Sequence, residues 1–237
     1  MASDFPWKDA PDVIACNLAF GDLVNDLPRR LTVEGRVHAE TLLASIGAVA
    51  GFAAQRAFFA EPVESQGHAA REIQIATTAS GGKYFFGEPL IRMLFPMTEA
   101  EAGLRLWSVA AGGAIAAGLN ASELPKLENM FKHVSQTLGG ELEGFPSLSE
   151  HRPQAPAREL LQQFWPLAVM CFNGELSGAV AKSGAVRQRR RPIIAAYAAN
   201  TFIRKVQSVL GPAAAIVIVM ETAIYTSKLD PAVIEKP

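Results

Sequence analysis

The sequence predicts a mainly α, multi-helix globular domain with one small β-hairpin, and three observations predict it. Alanine occupies 39 of the 237 positions, in long stretches with Leu, Glu and Arg that favour helix over strand. Apolar residues recur at three- and four-residue steps through most of the chain, which is the helical period. Convincing β alternation occurs in one place, between Glu72 and Phe86.

Each element follows from that pattern. A first helix fits Pro11 to Leu27, with Val13, Cys16, Phe20, Leu23 and Leu27 on one stripe and Pro28 as its stop. A second fits Val37 to Ala60, ended by Pro62. On it Gly47 and Gly51 lie one turn apart, a pair that lets another backbone approach closely. In the hairpin, Ile73, Ile75 and Thr77 alternate with Gln74 and Ala76, Ser80-Gly81-Gly82 turns the chain, and Tyr84-Phe85-Phe86 returns. Two strands alone are marginal in water, so this pair must lie on helices or meet its counterpart in another subunit.

A short helix over Pro89–Phe95 comes next. Thr98-Glu99-Ala100-Glu101 then has the form of a capping box, the firmest helix start in the chain, leading to about Leu119. Further helices are expected over 123–138, 157–172 (bent at Pro166), 192–210 and 212–226. The last two are joined by Gly211-Pro212 and so are expected to run antiparallel. The β-branched run Ile216–Val219 admits a strand, but the preceding Pro-Ala-Ala-Ala favours helix.

At 237 residues and 25.4 kDa the chain reads as a single domain over 1–237, with the proline-bearing loop 139–156 as the one internal boundary on offer. A 49% hydrophobic content with 19% charged residues excludes general disorder. The net charge of −1 leaves no global field for nucleic acid. Charged residues are scarce against about 25% in ordinary usage, so part of the surface is expected to be covered. A homo-oligomeric interface, with a dimer favoured, is the simplest cover; bound lipid or a membrane contact is the rival.

The longest uncharged stretch, Leu106 to Ser122, has 17 residues, short of the roughly 20 that span a bilayer, and no transmembrane segment is expected. The N-terminus lacks a basic start followed by an apolar run. Cys16 and Cys171 stand alone in apolar surroundings, which suits a reducing compartment, and a cytoplasmic location is expected.

Most chemical motifs fail on inspection. His38-Ala39-Glu40 has the H-x-E form of zinc deaminases, but the P-C-x-x-C partner is missing. Gly81-Gly82-Lys83 lacks the leading Gly and following Ser/Thr of a phosphate loop. Gly174-Glu175-Leu176-Ser177-Gly178 misplaces the serine of a nucleophile elbow. No cofactor and no metal are expected. The aromatic set Phe52, Phe58, Phe59, Tyr84, Phe85, Phe86 and Trp107 reads as core rather than as a cavity lining.

Two features remain. Arg187, Arg189, Arg190 and Arg191 crowd five positions, with Lys182 upstream and Pro192 opening a helix. The set suits either a solvated basic loop or a small-anion site, since Arg forks and a helix N-terminus both favour phosphate or carboxylate. Glu221 is the lone charge between Val206 and Ser227; a structural pair with Arg204 is the leading reading, ahead of a catalytic carboxylate or simple exposure.

These features leave the reaction undefined. The first functional expectation is a cytoplasmic homo-oligomer with a binding or assembly role. The alternative is an enzyme or carrier for a small anionic, partly apolar ligand held by the Arg187–Arg191 loop. Peripheral membrane association comes third.

Overall fold

The computed structural model describes residues 5–61, 72–78, 81–176 and 184–235. Its elements are α1 (Val13–Leu31), β1 (Thr32–Val33), β2 (Arg36–Val37), α2 (Ala39–Phe59), β3 (Gln74–Thr77), β4 (Lys83–Phe86), α3 (Glu88–Leu94), α4 (Leu106–Ala116), α5 (Leu127–Thr137), α6 (Ala157–Asn173), α7 (Arg191–Val206), α8 (Pro212–Thr226) and α9 (Pro231–Ile234). Short 3₁₀ turns cover Glu99–Leu104, Ala121–Glu123 and Gln188–Arg190. The chain is mainly helical, with two small antiparallel β pairs.

Helix α2 is the axis of the fold. From Ala39 to Phe58 every residue but Glu40 and Arg56 is buried, as expected of a helix that is apolar on all sides. It packs against α8, α7, α6 and α3. By length and composition α2 could cross a membrane, yet 89% of its apolar window is buried among the other helices.

Helices α2 and α8 approach closely in the core, at the Gly47–Gly51 pair. A Cβ at Gly47 would fall 2.5 Å from the Val219 carbonyl oxygen, and one at Gly51 would fall 2.6 Å from the Ala223 Cα. Neither gap admits a methyl group. Across the contact Thr226 Oγ1 donates to the Ala48 carbonyl at 3.0 Å. Gln55 Nε2 donates to the Ser227 and Leu229 carbonyls at 2.9 and 2.7 Å, closing the chain that follows α8. Residues 216–219 are therefore helical, because a helix buried nearly all round can carry a continuous β-branched face.

Several boundaries differ from expectation; α5, expected from 123, starts at Leu127, and α4, expected to about Leu119, ends at Ala116. Helix α1 continues past Pro28 to Leu31, since a proline in the last turns removes a single internal hydrogen bond. It then enters the β1–β2 turn through Glu34 and Gly35, both at positive φ. The Thr98 capping box does not form. Glu101 Oε2 accepts instead from the Met97 N–H at 3.0 Å, residues 99–104 stay in 3₁₀ form, and the α-helix starts at Leu106. Helix α7 ends at Val206, four residues early.

The hairpin pairs Ile75 with Phe85 and Thr77 with Lys83; Ser80 of its turn, like Pro62, lies outside the described residues. It rests on the C-terminal end of α2. Phe85 lies 5.5 Å from Phe59 between ring centroids, and the Phe85 N–H donates to the Lys228 carbonyl at 2.7 Å. The aromatic set is dispersed as core: Phe52 meets Trp165 edge-on at 4.7 Å, while Trp107 faces Phe95 at 6.1 Å. Burial pushes the Cys16 and Cys171 thiols up to about 11 and about 12, so both behave as inert core groups.

Gly47→Ala and Gly51→Ala should each lower stability by about 3 kcal/mol or more, because the clash is with backbone that cannot rotate away. Gly112→Ala is the control: its Cβ meets nothing within 4 Å, and it should gain roughly 0.5–1 kcal/mol. Urea unfolding followed by circular dichroism measures all three.

Candidate functional site

Loop 138–156, between α5 and α6, holds three polar clusters, each built on a carboxylate. The first is Glu143. Its Oε1 accepts from Tyr225 OH at 2.5 Å, Tyr84 OH at 2.6 Å and Arg158 Nη2 at 2.7 Å, and its Oε2 accepts from the Gly139 N–H at 2.7 Å. Burial alone would raise the carboxyl pKa, but the two phenols, the Gly139 N–H and the Arg158 charge outweigh it and hold it below the usual range. Burial, reinforced by Glu143, pushes Tyr84 up to about 12 and Tyr225 higher still. The phenols are permanent donors here, tying β4, α6 and α8 to the loop.

The second cluster is centred on Glu221 of α8, only 3% exposed. The Ser147 N–H donates to Oε2 at 2.6 Å and the Ser147 hydroxyl to Oε1 at 2.9 Å. His133 Nε2 lies 4.0 Å from Oε2 and donates to the Phe145 carbonyl at 2.9 Å. Burial raises the Glu221 pKa, against the opposing effects of Ser147 and His133.

The Arg204–Glu221 pair is thereby corrected. Arg204 is exposed, beside Thr201, Lys205 and Gln207. Helices α7 and α8 both lean on α2 more than on each other, so the short Gly211-Pro212 joint does not bring the two side chains together.

The third cluster sits at the start of α2. Glu40 Oε1 accepts from His151 Nδ1 at 3.2 Å, and His38 Nε2 stands 3.5 Å from Oε2. The Thr41 N–H donates to His38 Nδ1 at 3.3 Å, capping the helix, while Thr41 Oγ1 accepts from the Gln154 N–H at 3.0 Å. His38-Ala39-Glu40 thus gains a second imidazole from across the chain. With His38 Nδ1 accepting, the neutral ring carries its proton on Nε2, facing Glu40. That is a hydrogen-bonding arrangement and not the lone pair a metal ligand presents. Among the described residues no group of three or more His, Cys, Asp or Glu is arranged to hold a metal ion.

The Arg loop divides. Arg190 forms a partly buried ion pair with Asp12, whose carboxylate also accepts from the Arg187 N–H at 3.2 Å. Arg191 donates to Asn173 Oδ1 at 3.0 Å and to the Val186 carbonyl at 3.3 Å, with its guanidinium 5.4 Å from the Phe172 ring centroid. Burial lowers its pKa. Arg187 and Arg189 are exposed. Two of the four guanidinium groups therefore hold α7 to α1 and α6, and two face solvent; Lys182 and Ser177 lie outside the described residues.

A hollow of about 230 Å³ opens over Ser147, Leu148, Ser149, Glu150 and His151. It joins the second and third clusters. Of these residues the sequence singled out Glu221, His38 and Glu40. Glu143, Ser147, His133 and His151 carry no local signal, since their partners lie 59 to 111 positions away for Glu143–Tyr84, Ser147–Glu221 and His151–Glu40. The chain matches no protein-family model, and no curated protein and no solved structure is significantly similar to it.

Lys228, just beyond α8, is 5% exposed with Nζ 4.7 Å from the Phe86 ring centroid, and burial lowers its pKa to about 8. The folded chain then gives up this proton near pH 8, while the unfolded chain keeps it to about 10.5. Between those values the unfolded state binds more protons, so this group's contribution to stability rises with pH. Lys228→Met should therefore stabilise the protein by up to about 3 kcal/mol at pH 7 and remove the rise between pH 8 and 10.5. Thermal melts across that range check the sign.

Proposed function

We propose that this protein is a cytoplasmic, self-associating helical protein with a binding or assembly role, and that copies meet through the outer face of α4. The observation that carries the reading is that face itself. From Leu106 to Ser122 there is no ionised residue, and Gly112, Ile115 and Ala116 are nevertheless exposed, Ile115 at 44%. Leu104, just before the helix, is exposed as well. A hollow of about 320 Å³ lies alongside, lined by Ala102, Ser108, Val109, Gly112, Tyr197 and Asn200.

An uncharged, small-residue helix face beside a shallow groove suits a two-fold contact. Burying it against a second copy costs no charge desolvation. The shortage of charge across the whole chain supports the same reading. The alternative, a small anionic ligand on the Arg loop, has only Arg187 and Arg189 left to offer and ranks second.

Sedimentation velocity at micromolar concentration should give a dimer for the wild type. Gly112→Arg should give a folded monomer with wild-type helical circular dichroism, since nothing in the subunit lies within 4 Å of the added Cβ. A wild type that remains strictly monomeric would overturn the proposal.

A further inference from the structure

The hollow over residues 147–151 brings together groups that loop anchorage alone does not require. Ser147 is exposed, yet its hydroxyl donates at 2.9 Å to the buried Glu221 carboxylate. On the same lining His151 donates Nδ1–H to Glu40 at 3.2 Å. The neutral ring then keeps its lone pair on Nε2, for which there is no partner among the described residues. A hydroxyl beside a carboxylate base and an imidazole oriented by a second carboxylate are the parts that nucleophilic acyl transfer uses. The backbone N–H groups of Ser149 and Glu150 meet no protein acceptor among the described residues. They are the donors available to an oxyanion.

We infer that this hollow is an acyl-transfer site for small, short-chain esters, with Ser147 as nucleophile, Glu221 as the group that carries its proton to the leaving group, and His151 as the base for water. The volume, about 230 Å³, is below the roughly 300–1,000 Å³ of sites that enclose drug-sized ligands, which restricts the acyl chain. Leu148 is the apolar residue of its lining.

In the first half-reaction Ser147 Oγ attacks the carbonyl carbon as its proton passes to Glu221. The ester C–O bond breaks, and the leaving alkoxide takes that proton from Glu221 and departs as the alcohol. In the second, neutral His151 takes a proton from water on Nε2 as the hydroxide attacks the acyl-serine. Ser147 Oγ leaves with the proton returned by His151, and the second product is the acid. The raised pKa of Glu221 makes it a stronger base than a surface carboxylate. Glu40 acts through His151 and is a positioning residue.

The test uses the full chain. Wild-type protein is incubated with a fluorophosphonate probe, digested, and the adduct mapped by mass spectrometry; p-nitrophenyl acetate hydrolysis is measured in parallel. A single adduct at Ser147 is expected. Hydrolysis should fall on the order of 100-fold or more in Ser147→Ala and in His151→Gln. Glu40→Gln should keep the Ser147 adduct and lower kcat at unchanged KM. Absence of an adduct at Ser147, an adduct mapped elsewhere, or wild-type hydrolysis in a folded Ser147→Ala overturns the inference. Because the adduct is read on the wild type, a variant that fails to fold does not blur the result.

Discussion

The contact between α2 and α8, made without side chains at positions 47 and 51, is the constraint on which the rest of the molecule depends. It sets two backbones so close that a methyl group at either glycine would overlap Val219 or Ala223. Once α2 lies there, it is covered on its remaining sides by α6 and α7. A threonine hydroxyl donates from one helix to a backbone carbonyl of the other, so the tight contact also satisfies its own polar groups. The loop between α5 and α6 closes one part of this core with carboxylate anchors on α2, on α8 and within the loop itself. Those anchors keep a long connection without regular structure in one place.

The helices were legible because their apolar periods are long and their punctuation is strong. Gly47 and Gly51 announced a close approach, although the sequence left open whether its partner was within the chain. The Thr98 box misled because a capping pattern competes with every other partner of its glutamate. Glu101 bonds the Met97 N–H and stands 3.7 Å from Arg105, and the chain stays in 3₁₀ form through Leu104 before the α-helix starts at Leu106. The β1–β2 turn, two residues a side, is too short to leave a periodic trace.

The candidate site was legible only in part. Glu221 stood out as a charge in an apolar run, and a buried carboxylate was the right expectation; its partner was not, because Ser147 and His133 lie on a different part of the chain from Arg204. His38 and Glu40 stood out as a pair, but the imidazole that completes their cluster comes from His151, 111 positions away from Glu40. The Arg loop was conspicuous because like charges cluster in sequence. In space the cluster divides, since Asp12 and Asn173 engage two of its members.

Native-state hydrogen exchange tests the central claim most directly. If the α2–α8 contact holds the core, amides of residues 43–55 and 216–226 should be the slowest in the chain. They should exchange together, through global unfolding alone, with the same dependence on denaturant. Exchange of the α8 amides through a smaller opening, while those of α2 stay protected, would contradict it.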